Sequence, residues 1–375
     1  MRLVVLLLLT CGCRQIFGLD VPASLPADGE AIDASGDGAA SPLDAAHLCF
    51  VRPSLGLGAC LADPPMSELV VDSPITFATD TFPLCATLTT STQDLCVVAA
   101  ASITIGQNAV IHVTGTRPLV LVSPGSIEID GTLDVSSHLG NLGMPTAGPD
   151  ENPTVCGTTE AGMLQGGGAG GSFTTAGGDG GRGVANNSMP GLARAAFAAD
   201  SFHGGCRGGF GASADTTIVA AYGGGALAMF AATVTVAGTI NASGMAGHGG
   251  APGSTGGYGG GTGGMVVISA PAITIANPGQ IYAIGGGGGG GASSSAAGLN
   301  GAEAASYSGV VPGGQGGNNA GDGGSAFPLT DSGQLGGGIN GAGGGGGGGV
   351  GAIVVFTSST FSNPRISPVP QVLSY

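Results

Sequence analysis

Ser126-Ile127-Glu128-Ile129-Asp130-Gly131-Thr132-Leu133-Asp134-Val135-Ser136 decides how this chain is read. Aliphatic and polar residues alternate on both sides of Gly131, so two short strands meet at a glycine corner, each with one apolar face. The pattern returns without a gap at Thr233-Val234-Thr235-Val236-Ala237-Gly238-Thr239-Ile240-Asn241-Ala242-Ser243. A continuous apolar run precedes each copy, Leu119 to Val122 and Leu227 to Phe230. A third copy runs from Met265-Val266-Val267-Ile268 through Ala272-Ile273-Thr274-Ile275 to Gln280-Ile281-Tyr282-Ala283. Ala352 to Phe356 with Phe361 and Ile366 is a weaker copy; Ser102 to Ile105 with Val110 to Val113 is a partial leading one.

Self-similarity of this kind marks stacked units. It predicts an all-β chain of parallel β-helix or solenoid-like repeats with long Gly-rich insertions. Ile127, Val234 and Ile273 would form one inward ladder, and Leu133, Ile240 and Ile281 another. An antiparallel β-sandwich built from the same strands is the alternative.

The insertions (138–225, 245–264 and 285–351) hold nearly all of the 79 glycines, including the unbroken runs Gly285 to Gly291 and Gly343 to Gly349. Backbone excursions of this length are unusual inside a compact domain. They read either as disorder or as ordered packing of the polyglycine-II type, in which chains without side chains lie close enough to hydrogen-bond their neighbours. Gly and Ala, rather than Ser, Glu and Lys, fill the segments, which favours the ordered reading. Leu192 to Ala199 is the only helix-like patch. Collagen is excluded because Gly has no strict third-position period.

Charge narrows the chemistry. Eight Lys+Arg, every one an Arg, oppose 23 Asp+Glu for a net charge of -15. A nucleic-acid partner needs clustered cations and is excluded. No GxxxxGK[ST] phosphate loop exists without Lys, and no G-x-S-x-G elbow occurs.

The amino terminus reads as an export signal. Met1-Arg2 precedes the apolar run Leu3 to Leu9, too short to span a bilayer. Leu9-Thr10-Cys11-Gly12-Cys13 is similar to the bacterial lipobox, with Gly12 making Cys13 the better acyl acceptor. Residues 1–12 are then a lipoprotein signal peptide and 13–46 an acylated, acidic, flexible tether with no cation between Leu19 and Ala46. Arg14 after the acylated cysteine points to the outer membrane, with the lipid bilayer as a partner. Six cysteines remain, and an even number in an exported chain reads as disulfides. Cys49/Cys60 and Cys85/Cys96 share a spacing of eleven, which suggests two local loops within a small stapled module at 47–100; Cys156/Cys206 would close a third. Fifteen pairings are formally open. The repeat domain is 101–375.

Candidate catalytic groups are few. Glu128, Asp130 and Asp134 are the weak candidates, since carboxylates on outer strands serve polysaccharide lyases and hydrolases. Glu128 and Asp130 share a face about 7 Å apart. The aligned copies carry Thr235, Ala237, Thr274 and Ala276, so a solvated strand face is the plainer reading. Gly177-Gly178-Asp179-Gly180-Gly181-Arg182 places Arg where a nonapeptide calcium repeat needs Asp. With no CxxC pair and His47, His112, His138, His203 and His248 scattered, no metal site or cofactor is predicted. His112, between Ile111 and Val113, reads as a surface residue.

Cys13-Arg14-Gln15-Ile16-Phe17-Gly18-Leu19-Asp20, Thr116-Arg117-Pro118-Leu119-Val120-Leu121, Ile129-Asp130-Gly131-Thr132-Leu133-Asp134-Val135 and Ile240-Asn241-Ala242-Ser243-Gly244, with the spaced cysteines, carry a resemblance. The chain resembles uncharacterised Gly-rich lipoproteins of the myxobacterial type. The resemblance implies a cell-surface place and no catalytic residues. The expected role is that of an outer-membrane-anchored surface lipoprotein with structural, adhesive or matrix contacts, neutral glycans being the fitting partner. The alternative is a polysaccharide-active β-helix enzyme.

Overall fold

A computed structural model describes residues 48–61, 63–90, 92–140, 145–151, 153–212, 218–338, 340–359 and 365–375. The signal peptide 1–12, Cys13, the tether 13–46, His47 and Phe361 lie outside the described residues. The described residues form twenty strands, in a hairpin and three sheets. The hairpin pairs β1 (Leu48–Arg52) with β2 (Leu57–Leu61) in antiparallel fashion.

Sheet I takes β3 (Leu69–Val71), β7 (Ile103–Ile105), β10 (Ser126–Ile129), β13 (Thr233–Val236) and β16 (Ala272–Ile275), in that order. Sheet II takes β4 (Ile75–Ala78), β8 (Val110–Thr114), β11 (Thr132–Asp134), β14 (Thr239–Asn241), β17 (Gln280–Tyr282) and β19 (Ile366–Ser367). Sheet III takes β5 (Ala86–Thr89), β6 (Asp94–Ala99), β9 (Leu119–Val122), β12 (Ala226–Phe230), β15 (Met265–Ser269), β18 (Ala352–Thr357) and β20 (Gln371–Ser374). All neighbours in these sheets are parallel except β5 and β6. The expected stapled module, 47–100, thus supplies β3, β4, β5 and β6 to the sheets that carry the repeat.

The pairing explains the two kinds of strand. Ile127 lies beside Val234, which lies beside Ile273, and Leu133, Ile240 and Ile281 align in the same way on sheet II. Their aliphatic side chains meet in one buried cluster with Leu121, Met229, Ile268 and Val355 from sheet III. Strands β9, β12, β15 and β18 of sheet III are buried on both faces, hence their uninterrupted apolar runs. Their second face, with Val120, Ala228, Val267 and Val354, packs on Phe50 and Leu57 of the hairpin and on Phe173 and Phe202 of the first insertion.

The expected β-helix or solenoid is corrected by this arrangement. The described residues are mostly sheet, in several sheets of mixed strand direction, and among them neither a closed barrel nor a solenoid is found. The cause lies in the insertions, which leave the sheets after β11, β14 and β17 and pack on one another as a separate layer instead of hanging from regular coils. The antiparallel sandwich is excluded by the parallel register. The helix-like reading of Leu192 to Ala199 is also corrected, because this segment has no helical turn. Among the described residues helical structure is limited to single 3-10 turns at Pro53–Leu55 and Thr154–Cys156. No helix among them is long and apolar enough to cross a membrane.

Within the glycine layer each chain bonds to several neighbours in turn. Gly343, Gly346 and Gly349 donate to the carbonyls of Gln165, Gly168 and Gly171 at 2.8–2.9 Å. Gly344 and Gly347 donate to Gln334 and Asp331, and Gly345 and Gly348 to Gly289 and Gly286. A period of three, with no bond inside the chain itself, is the mark of a polyproline-II-type helix. Close approach leaves no room for a side chain: a Cβ on Gly345 would meet the Tyr258 carbonyl, one on Gly346 that of Gly178, and one on Gly347 that of Ser325. The run Gly343 to Gly349 is buried throughout. For the described residues of the insertions the ordered reading fits, with buried backbone polar groups bonded segment to segment. Three disulfides form, Cys49–Cys60 in the hairpin, Cys85–Cys96 beside the β5/β6 pair and Cys156–Cys206 within the first insertion, the pairing that the spacings suggest.

Candidate functional site

The outer face of sheet II carries a row of polar residues set by register. Thr76, His112, Asp134, Asn241, Tyr282 and Ser367 occupy successive strands at one level. Leu133 points into the core, so Asp134, its neighbour on β11, must point outward. It is nevertheless only 6% exposed, because the first insertion folds back over it at His138 and the third covers that point with Glu303.

The contacts around Asp134 are dense. His112 Nδ1 lies 3.1 Å and His138 Nε2 2.9 Å from Asp134 Oδ2. Asp134 Oδ1 accepts from the Ser136 hydroxyl at 2.5 Å and from the Ser136 amide at 3.1 Å. Asn241 Nδ2 donates to Ser136 Oγ at 3.0 Å. On the far side His138 Nδ1 lies 3.0 Å from Glu303 Oε2, while the Leu139 amide donates to Glu303 Oε1 at 2.5 Å. His112 stands half exposed at the rim.

Electrostatics follow from this packing. Burial pulls the Asp134 carboxyl upward, but the hydrogen bond and charge of His138, with the two bonds from Ser136, outweigh it and hold Asp134 below the ordinary carboxylate value. The bonds to Asp134 and Glu303 carry the His138 imidazole up to about 10. Tyr282 rises to about 12 through burial and the nearby Asp134 charge. Among the described residues, His112, Asp134 and His138 could hold a metal ion: two imidazoles and a carboxylate whose ligand atoms all lie within 4.8 Å of one another.

The structure separates the three carboxylates singled out as catalytic candidates. Glu128 and Asp130 are exposed on the sheet I side, whereas Asp134 is turned into the histidine cluster on sheet II. His203 and His248 are buried elsewhere, with burial lowering both imidazoles. The sequence reading missed His138 and Glu303 and took His112 for a plain surface residue. One signal was present, since aligning Val110-Ile111-His112 with Thr132-Leu133-Asp134 places His112 beside Asp134. Nothing in the pattern announces Glu303, which arrives from an insertion far along the chain.

Two surface clefts also open on the described residues. One is lined by Gln107, Asp130, Thr132, Thr239 and Gln280 at the corners between sheets I and II. The other lies at the end of the glycine layer, among Ser293, Ser294, Ser295, Asn318, Asn319 and Asn340. The chain matches no family model, no curated protein and no solved structure.

Proposed function

We propose that this chain is a lipid-anchored surface protein with a structural or adhesive role, held in the outer membrane through acylated Cys13 and making contacts with neutral glycans or matrix. The observation that carries the reading is the glycine layer, whose backbone is bonded segment to segment, with the cleft of Ser293, Ser294, Ser295, Asn318, Asn319 and Asn340 beside it. Hydroxyls and amides of this kind pair with sugar hydroxyls through directional hydrogen bonds and offer no charge to an ionic ligand. Three disulfides support an oxidising compartment, which agrees with export. The resemblance to Gly-rich myxobacterial lipoproteins read from the sequence would imply the same place.

The test applies the purified chain to a glycan array and to whole cells, beside an Asn318→Ala/Asn340→Ala variant. Binding to neutral glycans that falls at least tenfold in the variant is the expected result. A folded wild-type chain that binds neither cells nor any glycan contradicts the adhesive role. Lipidation is read separately: labelled palmitate should enter the wild type, and a Cys13→Ser chain should leave the membrane fraction.

A further inference from the structure

We infer that His112, Asp134 and His138 form a binding site for one divalent transition-metal ion, with Zn²⁺ as the reference case. Two imidazole nitrogens and one carboxylate oxygen are the donor set of zinc and its neighbours, whereas calcium and magnesium take oxygen ligands. His112 Nδ1 and His138 Nε2 lie 3.1 Å and 2.9 Å from Asp134 Oδ2. Tetrahedral zinc with bonds of about 2.0–2.1 Å has ligand-to-ligand edges of about 3.3 Å. The three atoms are therefore already gathered around one point, and a bound ion replaces the hydrogen bonds between them.

A second, independent feature is the support behind the ligands. Glu303 Oε2 accepts from His138 Nδ1 at 3.0 Å, which turns Nε2 toward Asp134, and the Leu139 amide fixes Glu303 in turn. Ser136 occupies Asp134 Oδ1 and leaves Oδ2 for the ion. A carboxylate behind a ligating histidine is the usual outer-shell arrangement of metal sites. His112, half exposed, gives the ion a way in and leaves a coordination position facing solvent for water or an external ligand. The ion joins the start of the first insertion, through His138, to β8 and β11 of sheet II, with the third insertion held behind it by Glu303.

The competing account is a metal-free hydrogen-bonded cluster. To separate the two, the full chain without an affinity tag is stripped with chelator and titrated with ZnCl₂ by calorimetry, with equilibrium dialysis giving the stoichiometry. Folding of every variant is verified by circular dichroism. One ion per chain is expected. His112→Ala, a change at a half-exposed side chain, should weaken binding at least tenfold, and Glu303→Gln by about 10–100-fold. Zinc should raise the thermal midpoint of the wild type and leave that of His112→Ala in place. Failure of the folded wild-type chain to take up a stoichiometric ion overturns the site. Uptake unaffected by both His112→Ala and His138→Gln overturns it equally, since the ion then sits on other groups.

Discussion

Asp134 shows how much one residue depends on strands remote in sequence. Its carboxylate is buried and meets two histidines and a serine, so truncation leaves His112, His138 and Ser136 each without one partner. Asp134→Ala should lower stability by about 2–3 kcal/mol, whereas His112→Ala at the exposed rim should cost less than about 1 kcal/mol; urea denaturation of the metal-free proteins measures both. A second carboxyl has the opposite bias. Burial carries Asp150 up to about 7 from its ordinary 3.8, with the Gly204 amide pulling downward and Glu151 adding a smaller push. The folded chain holds this proton more tightly than the unfolded chain does. Its contribution is complete below pH about 4 and fades as pH rises through about 7, by up to about 4 kcal/mol. Asp150→Asn should flatten that part of the stability-versus-pH curve, and a curve with the same slope in both proteins would remove Asp150 as its source.

At the scale of elements, two kinds of packing coexist and respond differently to substitution. Ile127 is fully buried between sheets, and Ile127→Ala should cost about 2–5 kcal/mol through lost contacts and a cavity. Gly346 faces the opposite problem, because an added methyl meets the Gly178 backbone. Gly346→Ala should therefore destabilise by about 1–3 kcal/mol through overpacking. Gly58→Ala is the control: its Cβ would lie 3.8 Å from Val51 Cγ1, an ordinary contact, and the change should be within about 0.5 kcal/mol of neutral. Strand existence and register were legible beforehand because alternation around Gly131 and Gly238 is periodic, and equal periods align Ile127 with Val234. The strands Leu69–Val71 and Ile75–Ala78 were not, because their copy is short and carries no glycine corner. The arrangement of the glycine runs was only half legible. Composition signals that chains can approach closely, but partners such as Gly168 for Gly346 are chosen by three-dimensional packing, and Gly-on-Gly contacts leave no side-chain pattern to read. Glu303 was missed for the same reason.

For the whole molecule, backbone hydrogen bonds such as Gly225 to Val135 and Ala352 to Gly264 join the sheets to the glycine layer, and the disulfides staple parts within them. Cys156–Cys206 spans 50 positions across the first insertion, against 11 for each of the other two. By the loop-entropy estimate, its loss should cost about 4 kcal/mol against about 3 kcal/mol for either short loop. A Cys156→Ser/Cys206→Ser chain should accordingly unfold at lower urea than the Cys85→Ser/Cys96→Ser chain. Glycine runs with no side chains form a stable interior here, and amide hydrogen exchange followed by mass spectrometry reads that stability peptide by peptide. Peptides covering Gly285 to Gly291 and Gly343 to Gly349 should exchange as slowly as those covering Ala226–Phe230 and Met265–Ser269, because their amides are buried and bonded to neighbouring chains. Exchange of the glycine peptides at the rate of an unfolded chain, with the strands of sheet III still protected, would contradict the account.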